Sequence, residues 1–149
     1  MIEKFRVALK TESDGADVSI VEGDIREVAI SNASMVVMNY TLQFLPAEER
    51  ASMLQTIYDG MLPGGVLVIS EKVTDEDPKV EQLLVDLHHE FKSRNAYSDL
   101  EISRKRAALE NVLIPETEAD HKSRLSRAGF KHIGIWLRYF NFISIVAIK

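Results

Sequence analysis

The sequence predicts an α/β fold in which a mostly parallel sheet is completed by an antiparallel pair of strands near the C-terminus. Short β-rich runs alternate along the chain with longer segments whose apolar residues recur at helical spacing. Such alternation is typical of a doubly wound sheet with helices on its faces. The last two β-rich runs lie close enough together to form an antiparallel pair, with no helical segment between them.

The first part of the chain contains a predicted helix and two predicted strands. Residues 2–9 predict a short helix, and the polar, glycine-containing stretch 11–17 predicts a loop. Residues 18–22 alternate between apolar and polar side chains, as a half-buried strand does. The apolar run at 34–39 is continuous, which indicates a strand that is covered on both faces.

A helix followed by a buried strand is expected next. Pro46 suits the start of a helix, and Glu48 and Glu49 in its first turn suit the positive end of the helix dipole. The apolar positions of this helix are Ala51, Leu54, Tyr58 and Met61. The Pro-Gly-Gly sequence at 63–65 should end the helix, and residues 66–70 predict the next strand.

Three helices and the closing strands complete the prediction. Asp77 and Pro78 are expected to open a helix with an apolar stripe at Val80, Leu84, Leu87 and Phe91. Ser98 and Glu101 have capping-box spacing, which predicts a helix from 98 to about 111. A further helix covers 117–128 and ends at Gly129. Residues 133–137 and 142–148 predict the final two strands.

Composition excludes several classes of site. There is no cysteine, which excludes disulfides and thiolate chemistry, and the four histidines lack metal-binding spacing, so no metal is expected. No apolar run approaches the ~20 residues that cross a bilayer, and the first residues lack the apolar core of a signal peptide. We therefore expect a cytoplasmic protein without a membrane partner. The net charge of −5 argues against direct contact with nucleic acid.

Motifs in the predicted strands and turns resemble those of class I S-adenosylmethionine-dependent methyltransferases. They are Glu-Gly-Asp-Ile at 22–25, the stretch 36–45, the stretch 62–69 and Leu-Ser-Arg-Ala-Gly-Phe at 125–130. A narrower resemblance to carboxy-S-adenosyl-L-methionine synthases rests on 22–26, 32–37, 41–45, 70–72, 100–103, 109–112 and 141–142. The resemblance implies a single domain over 1–149 with a Rossmann-like methyltransferase sheet.

The resemblance covers the C-terminal two-thirds of that family. Its members carry an earlier segment with the glycine-rich cofactor loop and the first two strands, and no such loop occurs in this sequence. The sheet should therefore lack those strands, and the domain should be incomplete. The strand at 34–39 would then present an exposed apolar edge, which favours self-association. We expect a homodimer.

The resemblance also implies an activity. Members of the family use S-adenosyl-L-methionine and prephenate to make carboxy-S-adenosyl-L-methionine. A partner enzyme, a tRNA carboxymethyltransferase, then transfers the carboxymethyl group to a wobble uridine. The net charge argues against tRNA contact by this chain itself. Two alternatives stay open, namely an ordinary methyltransferase and a non-catalytic half-domain.

The resemblance also implies which residues bind the cofactor. By resemblance, Asp24 accepts a hydrogen bond from the adenine amino group, Ile25 contacts the adenine ring, and Asn39 lines the methionine end. Arg106 would hold the added carboxylate, because a guanidinium can bind a carboxylate through two hydrogen bonds. The residues alone leave an alternative open for each polar one. Asp24 could cap the next helix, Asn39 could belong to a turn, and Arg106 could be solvated on a helix face.

Other polar residues carry weaker predictions. Tyr40 and Gln43 are candidates for the substrate pocket, and Glu71 and Lys72 are expected at its rim. No catalytic residue is assigned, because no paired carboxylates or Ser/His/Asp arrangement stands out. This agrees with a chemistry in which the cofactor supplies the reactive centre and the protein orients it.

Overall fold

The computed structural model describes residues 17–95, 97–98, 100–101, 103–104, 109 and 112–149. The strands are β1 (Ala33–Asn39), β2 (Met61–Thr74), β3 (Glu116–Thr117), β4 (His132–Tyr139) and β5 (Phe142–Ile148). The helices are α1 (Ala47–Gly60), α2 (Pro78–Arg94) and α3 (Glu118–Ala128). Single turns of 3₁₀ helix cover Ile25–Glu27 and Leu42–Phe44.

The strands form one mixed sheet in the order β1-β2-β5-β4, and the short β3 pairs with the end of β2. β1 and β3 run parallel to β2, whereas β5 is antiparallel to both β2 and β4. The predicted α/β class and the closing antiparallel pair are therefore confirmed. β1 occupies one edge of the sheet among the described strands.

The core lies between the sheet and the two helices α1 and α3. Alternate residues of β2 and β5 point into it, and Leu54 of α1 and Leu125 of α3 pack against them. The strand side chains at its centre are Leu67, Ile69, Ile143 and Ile145. By contrast, no described residue of α2 is buried, and the expected stripe residues Val80, Leu87 and Phe91 are each about 40% exposed.

The strand predicted at 18–22 is absent. Residues 17–22 are irregular and mostly exposed. A strand needs a neighbour to pair its N–H and C=O groups, and none of the described strands pairs with this stretch. Alternation in the sequence is therefore not sufficient to make a strand here.

The boundary between α1 and β2 lies earlier than expected. α1 ends at Gly60, and the Pro-Gly-Gly sequence at 63–65 lies inside β2, where Gly64 has a φ of 77°. Ala33 of β1 pairs with Met61 of β2, but Met35 pairs with Val66. Two residues along β1 therefore correspond to five along β2, which makes β2 irregular at this point. These residues interrupt the pairing of a strand instead of ending a helix.

The buried face of α1 also differs from the prediction. It consists of Arg50, Met53, Leu54 and Ile57, whereas Ala51 is exposed. Of the predicted stripe, Leu54 is buried and Tyr58 packs partly buried against the core, whereas the burial of Arg50, Met53 and Ile57 was not predicted.

Three other predicted helix ends are confirmed in the described residues. Asp77 accepts a hydrogen bond from the Lys79 backbone N–H at 2.8 Å, as the N-cap of α2. The Ser98 Oγ accepts from the Glu101 N–H at 3.3 Å, and described residues 100–101, 103–104 and 109 are helical. Gly129 follows α3 with a φ of 111°. The helix expected at 2–9 lies outside the described residues.

Candidate functional site

The candidate site lies where β1 and β2 end. Asn39, the last residue of β1, pairs with Ser70 of β2 and is exposed. Tyr40 then takes a left-handed φ of 52° and donates its backbone N–H to the Ser70 carbonyl at 2.7 Å. In open α/β sheets, ligands bind at this carboxyl end of the strands. The consecutive residues Asn39 and Tyr40 therefore lie at the edge of the sheet that the sequence predicted.

A buried carboxylate holds the turn that follows. Glu71 of β2 is fully buried, and its Oε1 accepts backbone hydrogen bonds from Thr41 at 3.2 Å and Leu42 at 2.9 Å. Its Oε2 accepts a third hydrogen bond from the Gln43 N–H at 3.1 Å. The sequence placed Glu71 only at the rim of the site. In the structure it anchors the turn that continues directly from Asn39.

The environment of Glu71 shifts its protonation. Burial raises the pKa of this carboxyl group to about 7, against the opposing effect of the three N–H donors and the nearby Arg50. Desolvation penalises the charged form, whereas hydrogen bonds from N–H groups and a nearby positive charge favour it.

Gln43 and Tyr40 have different surroundings. Gln43 is buried, and its side-chain Oε1 accepts the backbone N–H of Lys72 at 2.9 Å. Tyr40 is half exposed, and its ring meets that of Phe142 edge to face, with 5.8 Å between centroids. The Tyr40 side chain is therefore accessible, whereas the side-chain oxygen of Gln43 joins the turn to β2. Their roles in a substrate pocket stay predictions.

Asp24 caps the 3₁₀ turn Ile25–Glu27. Its Oδ1 accepts hydrogen bonds from the Arg26 backbone N–H and the Arg26 Nε, both at 2.9 Å, and its Oδ2 pairs with Arg26 Nη2 at 2.5 Å. These contacts with Arg26 lower the pKa of Asp24 to about 2. Arg26 also pairs with Glu49 of α1 at 2.7 Å, which ties the turn to that helix.

Asp24 thus acts as a cap, as the alternative predicted, and its carboxylate can still accept a further hydrogen bond. An ionised carboxylate offers about four acceptor positions, and Arg26 occupies three of them. Ile25 is partly buried against the core. The ligand roles of Asp24 and Ile25 stay predictions, as does that of Asn39. Arg106 lies outside the described residues.

A buried ionic network under the site was not predicted. Arg50 is fully buried, and its Nη1 pairs with Glu116 Oε2 at 2.5 Å. Arg124 of α3 holds the same carboxylate through both Nη atoms. Burial alone would raise the pKa of Glu116, but Arg124 and Arg50 hold it below its ordinary value. His121 is also buried, and desolvation lowers its pKa.

One signal in the sequence indicated the burial of Arg50, and a second indicated the start of α3, the helix that carries Arg124. Arg50 occupies the first position of an i, i+3, i+4, i+7 series with the buried residues of α1, so periodicity alone assigns it to the core face. Thr117 and Asp120 have the spacing of a capping box, and their mutual hydrogen bonds begin α3. The pairing of Arg50 with Glu116 carried no local signal, because the two residues are distant in sequence.

Two kinds of feature are absent from the described residues. These residues contain no cluster of three or more His, Asp or Glu side chains that could hold a metal ion. Of the helices in the described ranges, none combines the length and apolar character needed to cross a membrane.

Sequence comparisons identify related proteins. The model of the O-methyltransferase domain family matches residues 1–97. The chain is 52% identical over all 149 residues to a carboxy-S-adenosyl-L-methionine synthase of Escherichia coli O1:K1, and an identical score is found for the protein of that name in Escherichia coli O157:H7. The chain spans 60% of the length of these relatives.

Solved structures confirm the methyltransferase fold. An O-methyltransferase family protein from Burkholderia thailandensis matches 99% of this chain with 40% of its own, at a TM-score of 0.70 and 16% identity. Human N-acetylserotonin methyltransferase, solved in complex with S-adenosylmethionine, matches 97% of this chain with 37% of its own, at a TM-score of 0.62 and 18% identity.

Proposed function

The chain belongs to the O-methyltransferase domain family, and from this premise we propose that it acts as a carboxy-S-adenosyl-L-methionine synthase. The observation that carries the proposal is the 52% identity over all 149 residues to proteins of that name. The similar solved structures support the fold alone, because their identities to this chain are 16% and 18%.

The proposed ligands are S-adenosyl-L-methionine and its carboxylated product. S-adenosyl-L-methionine supplies an activated methyl group on a sulfonium centre. The described residues suit two parts of such a molecule. Asp24 keeps acceptor capacity for the adenine amino group, with Ile25 beside it, and the exposed amide of Asn39 offers a donor and an acceptor to the methionine end. Glu71 fixes the turn that follows Asn39.

Arg106 is the residue that would distinguish a synthase from an ordinary methyltransferase. The carboxylated product has one more anionic group than S-adenosyl-L-methionine, and an arginine can bind it through two parallel N–H···O bonds. An ordinary methyltransferase has no carboxylate to hold at that position. The proposal therefore predicts that Arg106 contributes to binding of the carboxylated ligand and little to binding of S-adenosyl-L-methionine.

The wider role that we propose follows the family resemblance. Prephenate would be the source of the carboxyl group, and a separate tRNA carboxymethyltransferase would use the product at a wobble uridine. The acidic net charge of −5 supports delivery of a small-molecule product instead of direct tRNA contact. A cytoplasmic enzyme would suit this role.

Calorimetric titration with both ligands tests the proposal. We expect the protein to bind carboxy-S-adenosyl-L-methionine more tightly than S-adenosyl-L-methionine. Arg106→Ala should weaken binding of the carboxylated ligand by about 1.5–3 kcal/mol, the range for a hydrogen bond to a charged group. Binding of S-adenosyl-L-methionine should weaken much less. Arg104→Ala is the matched control, because Arg104 is an exposed arginine in the same stretch of chain.

The other outcomes are equally informative. Equal affinity for both ligands, unchanged in Arg106→Ala, would support an ordinary methyltransferase. Binding of neither ligand would contradict the enzymatic proposal for this chain and favour a non-catalytic half-domain.

A further inference from the structure

Arg50 connects two stretches of chain that are distant in sequence. Its Nε donates to the Leu45 carbonyl at 3.0 Å, and its Nη2 donates to the Gln43 carbonyl at 3.1 Å. The same Nη2 donates to the Ile114 carbonyl at 2.9 Å. One guanidinium therefore joins the turn after β1 to the stretch that leads into α3.

Two further contacts fix the second stretch. The Ile114 N–H donates to the Gln43 carbonyl at 3.2 Å. Glu116 pairs with Arg50 at 2.5 Å and is held from the other side by Arg124. Arg50 is 0% exposed, so these contacts form away from water, where electrostatic interactions are stronger.

A residue that served only to fill the core would not need this arrangement. Burial of a charge is costly unless it is paired and hydrogen-bonded, and an apolar residue at position 50 would continue the buried face of α1. The planar guanidinium instead provides donors in fixed directions, and they reach both stretches at once. The arrangement is suited to holding two segments in one relative position.

We propose that Arg50 is a positioning residue, which fixes the turn Leu42–Phe44 and the stretch Ile114–Glu116 in one geometry for ligand binding. The turn follows Asn39 and Tyr40 at the end of β1. The stretch Ile114–Glu116 follows Arg106 along the sequence. This inference rests on the proposed function for its consequence, and on the contacts of Arg50 for the connection itself.

Amide hydrogen exchange of the full chain without ligand tests the connection. In Arg50→Lys, exchange of the Ile114 N–H should rise about tenfold relative to the Ile145 N–H, which reports opening of the central sheet. Arg124→Lys is the matched control, because the hydrogen bonds of Arg124 go to the Glu116 side chain and not to the backbone of the turn. In Arg124→Lys, the ratio of Ile114 exchange to Ile145 exchange should stay within about twofold of wild type.

Titration with carboxy-S-adenosyl-L-methionine tests the consequence. Arg50→Lys should bind it about tenfold more weakly and Arg124→Lys within about twofold of wild type, because misplaced ligand contacts lose binding energy even when the fold is kept. If Arg50→Lys does not fold, Glu116→Gln replaces it. That variant weakens the ion pairs of Arg50 and Arg124 together, so Ile114 exchange should rise more than in Arg124→Lys, where the contacts of Arg50 are kept.

The outcomes separate this inference from the proposed function. Unchanged exchange at Ile114 in Arg50→Lys, or equal effects in both arginine variants, would overturn the inference. Faster exchange with unchanged ligand affinity would show a connection that does not position the site, which also overturns it. If wild type binds neither ligand but exchange responds as expected, the proposed function fails while the connection stands.

Discussion

Two opposing effects act on the carboxylate of Glu71. Three backbone N–H groups favour its ionised form, while burial favours the neutral form and raises its pKa to about 7. An acid whose pKa is higher in the folded chain than its ordinary value of 4.5 binds protons more tightly when folded. Its contribution to stability is therefore complete below pH 4.5 and is lost as the pH rises through 7.

Replacing Glu71 by glutamine should remove this pH dependence. Glu71→Gln keeps an oxygen that can accept from Thr41 and Leu42, but it does not titrate. Between pH 4.5 and 7, the free energy of unfolding of wild type should fall relative to the variant by about 3 kcal/mol. Denaturant unfolding at several pH values measures this difference. Parallel curves for the two proteins would show that Glu71 does not change its protonation in that range.

Individual site residues could be predicted only in part. Asn39 and Tyr40 lie at the end of a strand, as the resemblance implied, because the end of a strand is a local feature of the sequence. The anchoring of the turn by Glu71 could not be predicted, since it depends on which carboxylate lies across the sheet from the turn. The pairing of Arg50 with Glu116 likewise needs the tertiary structure.

At the level of secondary structure elements, the end of α3 depends on Gly129. Its φ of 111° disfavours other residues, and a Cβ at this position would lie 2.7 Å from the Tyr58 ring. That ring is held by an edge-to-face contact with Phe130 and by Lys149 above it. The helix end and the packing of α1 against α3 therefore meet at one glycine.

Three glycine-to-alanine substitutions separate backbone strain from steric overlap. Gly129→Ala should reduce the free energy of unfolding by about 3 kcal/mol, from a left-handed backbone and from overpacking together. Gly64 has a φ of 77° but open space around it, so Gly64→Ala should reduce the free energy of unfolding by about 1 kcal/mol. Gly23→Ala has neither constraint and should be close to neutral. Equal losses at Gly129 and Gly64 would show that the Tyr58 ring moves aside without cost.

Most elements were predictable because their signals are local. Caps such as Asp77 and Gly129 depend on a few neighbouring residues, and both ends lie where the sequence placed them. The failures concern pairing. Residues 18–22 alternate like a strand but have no partner among the described strands, and the irregularity at 63–65 depends on the register with β1. Partners in a sheet are not encoded by the strand alone.

Apart from the far edge strand β4, where Trp136 and Leu137 are also exposed, the described residues include two exposed apolar surfaces that are candidates for self-association. One is the edge of the sheet at β1, where Met35 is 59% and Val37 is 52% exposed. The other is the outer face of α2, which includes Leu83 at 56%. Either surface could mediate the association that the sequence predicts. They differ because an edge strand also has unpaired backbone N–H and C=O groups, which a helix face lacks.

We expect the 149-residue chain to associate through the β1 edge, because pairing there would satisfy the backbone as well as bury apolar surface. Val37→Lys should shift the chain toward the monomer in light scattering coupled to size-exclusion chromatography. Lysine on an edge strand opposes pairing with another chain, and position 37 is exposed enough to accept it without large loss of stability. Leu83→Lys places the same charge on α2 and should leave the molar mass unchanged. If only Leu83→Lys dissociates the chain, the contact lies on the face of α2. A monomeric wild type would contradict association through either surface.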